Sequence, residues 1–380
     1  MKKQHGRNLL LVSLLITSGI VSAAPGVKIS GTIPVSVQLT AAIPNDALAL
    51  GNASTVNVLK RISLEKIELS PEAATFLANT ANKPATTLSL AATNTPVLPP
   101  SAAIGMNNLP VLDQGQHGTC VTFADTAALD AVRGNTDYIS QLCNLELGAY
   151  LEAENAKTNI EYPSGWEGSW NEIVLGQIEK YGIITMTYQK QYGCGNAKKT
   201  LKEYPLLDQN NTGVPMSEAD FSSHNEQIMK DMYWRTLLNS NDAFSTKAKM
   251  DVVIDKVKQS IVDGHRVVFG TLVDVNGNLE SVAGAVGTYH NVANDSWIMT
   301  AKIKKDLAAK RVRAGHAMIV TAYDDNAEIT GADGTRHKGV FTLRNSWSKL
   351  AGDKGDYYMS YEYFKTMVME TQEISPTPFA

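Results

Sequence analysis

From Val27 to Leu39 every odd position except Gly31 is apolar, while the even positions carry Lys28, Ser30, Thr32, Pro34, Ser36 and Gln38. A period of two with one apolar face predicts a half-buried strand. Pro34 on the polar side predicts an edge position, because proline cannot donate to a ladder. A second alternating run, Val56, Val58, Ile62 and Leu64, is placed to pair with the first across residues 42–55. Ser70-Pro71-Glu72 then reads as a helix start, with Ser70 as N-cap and Pro71 at the first helical position. That helix carries Ala73, Phe76 and Leu77 towards a partner surface. Residues 82–103, rich in Pro, Thr, Ala and Asn, read as an extended connector and the best candidate domain boundary.

Beyond the connector the period changes. Cys120 to Val132 carries a helical stripe (Val121, Ala124, Ala128, Val132) and stops at Gly134. Asn171 to Tyr181, closed by Gly182, and Met250 to Val262 repeat the helical pattern. After Gly264 the runs are strand-like: 267–269, 317–323, 340–344 and 357–360, with Asp333-Gly334 as a hairpin turn. A helical first half and a sheet-rich second half predict an α+β protein of two subdomains with a cleft between them.

The 380 residues suffice for a large core. A net charge of -4 gives no basic footprint, so no nucleic-acid partner is expected. At the amino terminus Lys2, Lys3 and Arg7 precede the apolar run Leu9–Ile16, and Val21-Ser22-Ala23 supplies small residues at a cleavage site. This pattern predicts a signal peptide over 1–23 and a secreted, extracellular or periplasmic protein. No other stretch is apolar enough to span a bilayer, so no stable membrane association is expected. In an oxidising compartment three cysteines, Cys120, Cys143 and Cys194, leave one thiol over. Its surroundings must say which.

Gln114-Gly115-Gln116-His117-Gly118-Thr119-Cys120 runs directly into a predicted helix. A thiol at a helix start faces unpaired N–H groups and the positive end of the dipole, which favour the nucleophilic thiolate. Gln114 is spaced to offer its amide to an oxyanion beside the Cys120 N–H. Among the seven histidines only His316 sits between a glycine and a strongly apolar strand, in Gly315-His316-Ala317-Met318-Ile319-Val320. Asn345-Ser346-Trp347 ends the following strand, where an Asn oxygen can fix an imidazole's tautomer and an indole can shield the bond from water.

These segments resemble the papain family of cysteine peptidases: the Gln, the glycine turn, the Cys opening a helix, the Gly-His-Ala strand start and the Asn-Ser-Trp. His117, Thr119, Val121, Ser348 and Ala351 depart from the family's usual Cys, Ser or Ala, Trp or Tyr, Gly and Trp. The resemblance implies a papain-like two-lobed fold, with a helical left lobe over about 112–205 and an antiparallel β-barrel-like right lobe over about 206–380. Residues 104–380 would form the peptidase domain. Residues 24–103 would be a pro-segment of β-hairpin and helix lying over the cleft. The implied chemistry is that of a cysteine-type peptidase with Cys120 as nucleophile, His316 as base, Asn345 as orienting group and Gln114 as oxyanion donor. The resemblance further implies that Gly168 and Trp347 contact substrate, with Trp347 also shielding the Asn345 bond, and that Cys143 pairs with Cys194. Trp166 and Trp170 are offered either to an apolar subsite or to the core. The stretch 274–313, longer than the family needs, is expected to reshape the cleft. Asp324-Asp325-Asn326 lacks ligand spacing, and no P-loop, dinucleotide or zinc pattern is present, so no metal or cofactor is expected. A monomer acting on peptide or protein substrates is the expectation. An inactive homologue serving in binding or adhesion, and a thiol acyltransferase or deamidase, are the alternatives.

Overall fold

Alternation at the amino terminus becomes a long two-stranded arm in the computed structural model, which describes residues 26–42, 55–82, 98–134, 136–194, 215–276, 283–290 and 292–379. The expected signal peptide, 1–23, and most of the connector, 83–97, lie outside the described residues. Strands β1 (Val27–Ala42) and β2 (Thr55–Leu69) pair antiparallel from Val27↔Leu69 to Ala42↔Thr55. The one odd position without an apolar side chain, Gly31, falls where the register shifts, at a φ of 123° open to glycine. Helix α1 (Pro71–Ala81) begins as expected, with Ser70 Oγ accepting from the Ala73 N–H at 3.2 Å.

The arm does not stand apart. β2 continues into the main sheet through Glu65↔Gly315 and Lys66↔Ala314. Val37, Ile62, Leu64, Ile67, Ala73 and Leu77 belong to one buried core with Trp297, Phe341 and Met359 of the sheet lobe. The connector also ends sooner than its composition suggested. Ser101–Ala103 form β3 on the edge of that sheet, and the Tyr323 hydroxyl donates to Pro99 O at 2.7 Å.

The helical lobe holds α2 (Cys120–Arg133), α3 (Gln141–Ala156), α4 (Asn171–Tyr181), α5 (Met186–Tyr192) and α6 (Glu218–Ser222). Helix α2 is buried along most of its length and stops at Gly134 in the left-handed region. Ser140 caps α3, and the Cys143–Cys194 disulfide ties α3 to the chain just beyond α5. Met216 and Phe221 pack with Leu142, Leu151 and Trp166, so this lobe runs to about residue 222, past the expected limit near 205.

The sheet lobe contains β4 (Tyr233–Leu238), α7 (Met250–Val262), β5 (Arg266–Val273), β6 (Gly287–Tyr289), β7 (Val292–Trp297), α8 (Ala301–Ala308), β8 (Ala314–Thr330), β9 (Arg336–Arg344), β10 (Asp356–Ser360), α9 (Tyr361–Met367) and β11 (Val368–Ser375). Strands β8, β9, β10, β7 and β6 pair in a ring that closes at Thr288↔Thr330, which gives the barrel-like character. One member departs from the antiparallel expectation: β7 and β10 run parallel. The 274–313 stretch supplies β6, β7 and α8, and α8 packs against α1. Its Ile303 and Leu307 share the core with Leu77.

Leu77 is 1% exposed at this junction. Leu77→Ala is expected to cost about 2–5 kcal/mol, seen as a lowered urea midpoint of the full chain. An unchanged midpoint would mean that α1 adds nothing to the shared core.

Candidate active site

The approach to Cys120 is shaped by backbone bonds from the opposite lobe. Asp113 Oδ1 accepts from the Gly115 N–H at 2.9 Å, and Gly115 takes a φ of 69°. This turn lays Gln114 beside Ser346, where the Gln114 N–H donates to Ser346 O and the Ser346 hydroxyl donates to Gln114 Oε1, both at 2.8 Å. Gln114 Nε2 donates to His117 O at 2.9 Å. The carboxamide is thus oriented with its nitrogen towards the turn that leads into Cys120. A side chain at Gly118 would collide with Thr32 and the Glu167 backbone, so glycine is required for close approach there. Cys120 is the first residue of α2, is fully buried and is the free cysteine. Its thiol lies against the N–H groups of Ala317 and Val121.

His316, third residue of β8, is fully buried. Its Nε2 is 2.8 Å from Asn345 Oδ1, and Asn345 Oδ1 also accepts the Ser346 N–H at 2.7 Å. Nδ1 has no hydrogen-bond partner and is the nitrogen left for chemistry. Trp347 stacks on the imidazole, with centroids 4.5 Å apart and planes at 22°, and is itself buried against Trp297 and Tyr357. Trp347 therefore sits behind the imidazole as a shield, and its contact is with His316. The other described histidines serve elsewhere: His265 meets Glu373, His337 meets Glu362, His290 meets Tyr358, His224 stacks on Tyr188 and His117 meets Trp166.

Burial pushes the Cys120 thiol well up from its ordinary value, and the Glu65 charge pushes it further, against the neighbouring N–H groups. Burial also pulls His316 down to about 4, against the Asn345 bond. Both groups are neutral in this closed state. What closes it is the arm. Glu65 Oε1 accepts from the Ser169 N–H at 3.0 Å, and a Cβ on Gly168 (φ 120°) would meet Glu65 and Ile29, one on Gly315 Glu65 and Ile67. Gly168, expected to admit a substrate backbone, admits the arm. Lys60 forms an ion pair with Asp113 beside Gln114. Leu39 bridges to Ala351, and the Thr40 N–H donates to Leu350 O at 2.9 Å. The small residue where the family usually has Trp thus lies where the arm crosses.

Beside Gly168 a cavity of about 260 Å³ remains between arm and helical lobe, lined by Ile29, Gly31, Glu152, Glu161 and Glu167, with Lys28 3.9 Å from Glu161. Trp166 and Trp170 are core residues, and Trp166 meets the His117 ring edge-on at 5.0 Å. Ser348 carries a φ of 88°, a conformation that suits the family's usual Gly. Asp325 holds Lys258 and Tyr361, and among the described residues no group of three potential ligands is placed for a metal. Two residues that matter here, Glu65 and Ser346, were not singled out from the sequence. For Glu65 a signal exists: the apolar phase of β2 jumps from Ile62 and Leu64 to Ile67 and Leu69 around it.

A family model described as the Peptidase C1-like family matches residues 188–372. No curated protein matches. Among solved structures, the chain is similar to xylellain, a cysteine protease from Xylella fastidiosa, at 19% identity over 74% of this chain and 88% of that one, with a TM-score of 0.46. It is also similar to digestive procathepsin L 3 of Tenebrio molitor larval midgut, at 15% identity over 80% of this chain and 79% of that one, with a TM-score of 0.38. The matched segment carries His316 and Asn345, while Gln114 and Cys120 lie ahead of it. Residues 188–372, the sheet-rich half that carries His316 and Asn345, match the Peptidase C1-like family.

Proposed function

We propose that this is a secreted cysteine endopeptidase that hydrolyses peptide bonds through Cys120, His316 and Asn345, and that it is made as a zymogen with its amino-terminal module as pro-segment. The observation that carries the reading is the line of hydrogen bonds from Gln114 through Ser346 and Asn345 to His316, with the arm lying over Cys120. Export is supported by the leader-like residues 1–23, and the Cys143–Cys194 disulfide suits an oxidising compartment. The acting form is a monomer.

In the opened cleft, water returns to the thiol and imidazole, and the desolvation that keeps both neutral is relieved. Cys120, ionised by proton transfer to His316 Nδ1, attacks the substrate carbonyl carbon. The oxyanion is held by the Cys120 N–H and Gln114 Nε2. His316 gives its proton to the leaving amine, then takes one from water as the thioester is hydrolysed. Asn345 holds the ring by Nε2 throughout, which leaves Nδ1 free to exchange the proton. Ser346 fixes both supports at once, since its hydroxyl holds Gln114 and its N–H holds Asn345.

Because 98–103 are built into the sheet, the separating cut belongs upstream of them, within 83–97. That cut in the folded chain is expected to raise kcat/KM for peptide hydrolysis at least tenfold, about 1.4 kcal/mol. Unchanged activity would assign the module a structural role, and amide transfer without hydrolysis would move the reading to an acyltransferase. In the cut enzyme, Gln114→Ala is expected to lower kcat by about 100-fold through loss of one oxyanion donor. Ser346→Ala is expected to lower it about tenfold, with KM little changed. If Gln114→Ala left kcat intact, Gln114 would not serve the oxyanion.

A further inference from the structure

We propose that Glu65 is the release switch of the amino-terminal arm: neutral, it seats the arm in the cleft, and its ionisation as the medium turns alkaline drives the arm out and uncovers Cys120. The inference rests on the reading of the arm as an inhibitory pro-segment and adds how that segment is regulated.

The geometry is that of an acid seated among acids. Glu65 is 2% exposed at the crossing of arm and cleft. Its backbone pairs with Gly315, beside His316 on β8. One carboxyl oxygen takes the Ser169 N–H, and the other lies against Gly315. From α2 it faces Cys120, and from β11 it faces Glu370, which is also fully buried. Behind Glu370 stand Glu172 of α4 and Asp125 of α2, the latter buried without a hydrogen-bond partner. From the 164–170 turn the nearest charged residue in sequence to Ser169 is Glu167. On its own strand Lys66 alternates to the opposite face, and Arg313 meets β2 through its backbone carbonyl, which accepts from the Ile67 N–H at 2.7 Å. His316 is neutral here. Among the described residues no lysine or arginine forms an ion pair with Glu65.

Burial accordingly pushes Glu65 up to about 8, and Glu370 rises to about 8 for the same reason, with the charges of Glu172 and Glu65 adding to it. An acid whose value is raised by docking holds its proton more tightly in the docked state. Docking is therefore at full strength below the ordinary carboxylate range and weakens as pH climbs towards about 8. Release also returns water to Cys120, which relieves the burial that holds the thiol above its ordinary value.

The test uses the full chain with Cys120→Ala, which removes both self-cleavage and the thiol's own titration, compared with the same chain carrying Glu65→Gln. Hydrogen exchange of backbone amides in 58–67 is measured at pH 6.0 and 8.5 and corrected for intrinsic rates. The parent is expected to lose at least tenfold in protection at pH 8.5, while Glu65→Gln keeps its pH 6.0 protection at both values. Equal loss in both chains, or no loss in either, would overturn the proposal. Glu65→Leu serves as a second neutral variant, and an arm unprotected at pH 6.0 in both substitutions would overturn it too. As the readout needs no catalysis, a failed peptidase assay leaves this result standing, and the reverse holds equally.

Discussion

Strand β8 is the constraint on which the rest of the molecule depends. It starts at the cleft with Gly315-His316, pairs there with β5 and with β2 of the arm, and further along takes β3, β9 and β6. The imidazole is therefore fixed by the same ladder that builds the sheet lobe. The same ladder also seats the arm one residue away from the imidazole. A shift of β8 by one residue would turn His316 out of the cleft and Gly315 away from Glu65 together. The placing of His316 and the seating of the arm are two consequences of one register.

Occlusion so deep has an energetic consequence. Val37, Ile62, Leu64 and Ile67 are fully buried, and each such side chain contributes about 1.5–3 kcal/mol relative to exposure. An arm held by that much apolar surface, by the Lys60–Asp113 pair and by a strand pairing does not leave by thermal fluctuation alone. Cutting the chain removes the tether that keeps the arm at high effective concentration. The carboxyl at Glu65 is the weak point of the arm's seat, because it is buried beside Glu370 with no lysine or arginine among the described residues to pair with its charge. The 274–313 stretch fits the same picture: its helix α8 bears on α1 and holds the module at a site remote from the chemistry.

Much of this was legible in the residues, for identifiable reasons. Strand alternation in 27–39, the Ser70-Pro71 helix start and the Gly134 and Gly182 stops are local signals, and each lies where the local pattern put it. Gln114, His316 and Asn345 were readable because their neighbours are constrained by backbone geometry, with glycines at 115, 118 and 315. The part that was not legible is long-range. The jump in apolar phase marks Glu65 as unusual, but nothing near it in sequence announces a partner at Ser169 or Gly315. The short strands β6 and β7 and the parallel β7–β10 pairing come from closure of the ring, which no single segment encodes. The 98–103 segment looked like linker because a three-residue edge strand carries almost no periodicity of its own.

The central claim is that Cys120 is a catalytic nucleophile kept inert by the arm. The most direct measurement is mass spectrometry of the protein after exposure to an epoxysuccinyl thiol reagent, before and after a single cut within 83–97. At pH 6.0 the account predicts no label on the intact chain and one label, on Cys120, after the cut. Equal labelling of both forms, or none in either, would contradict it.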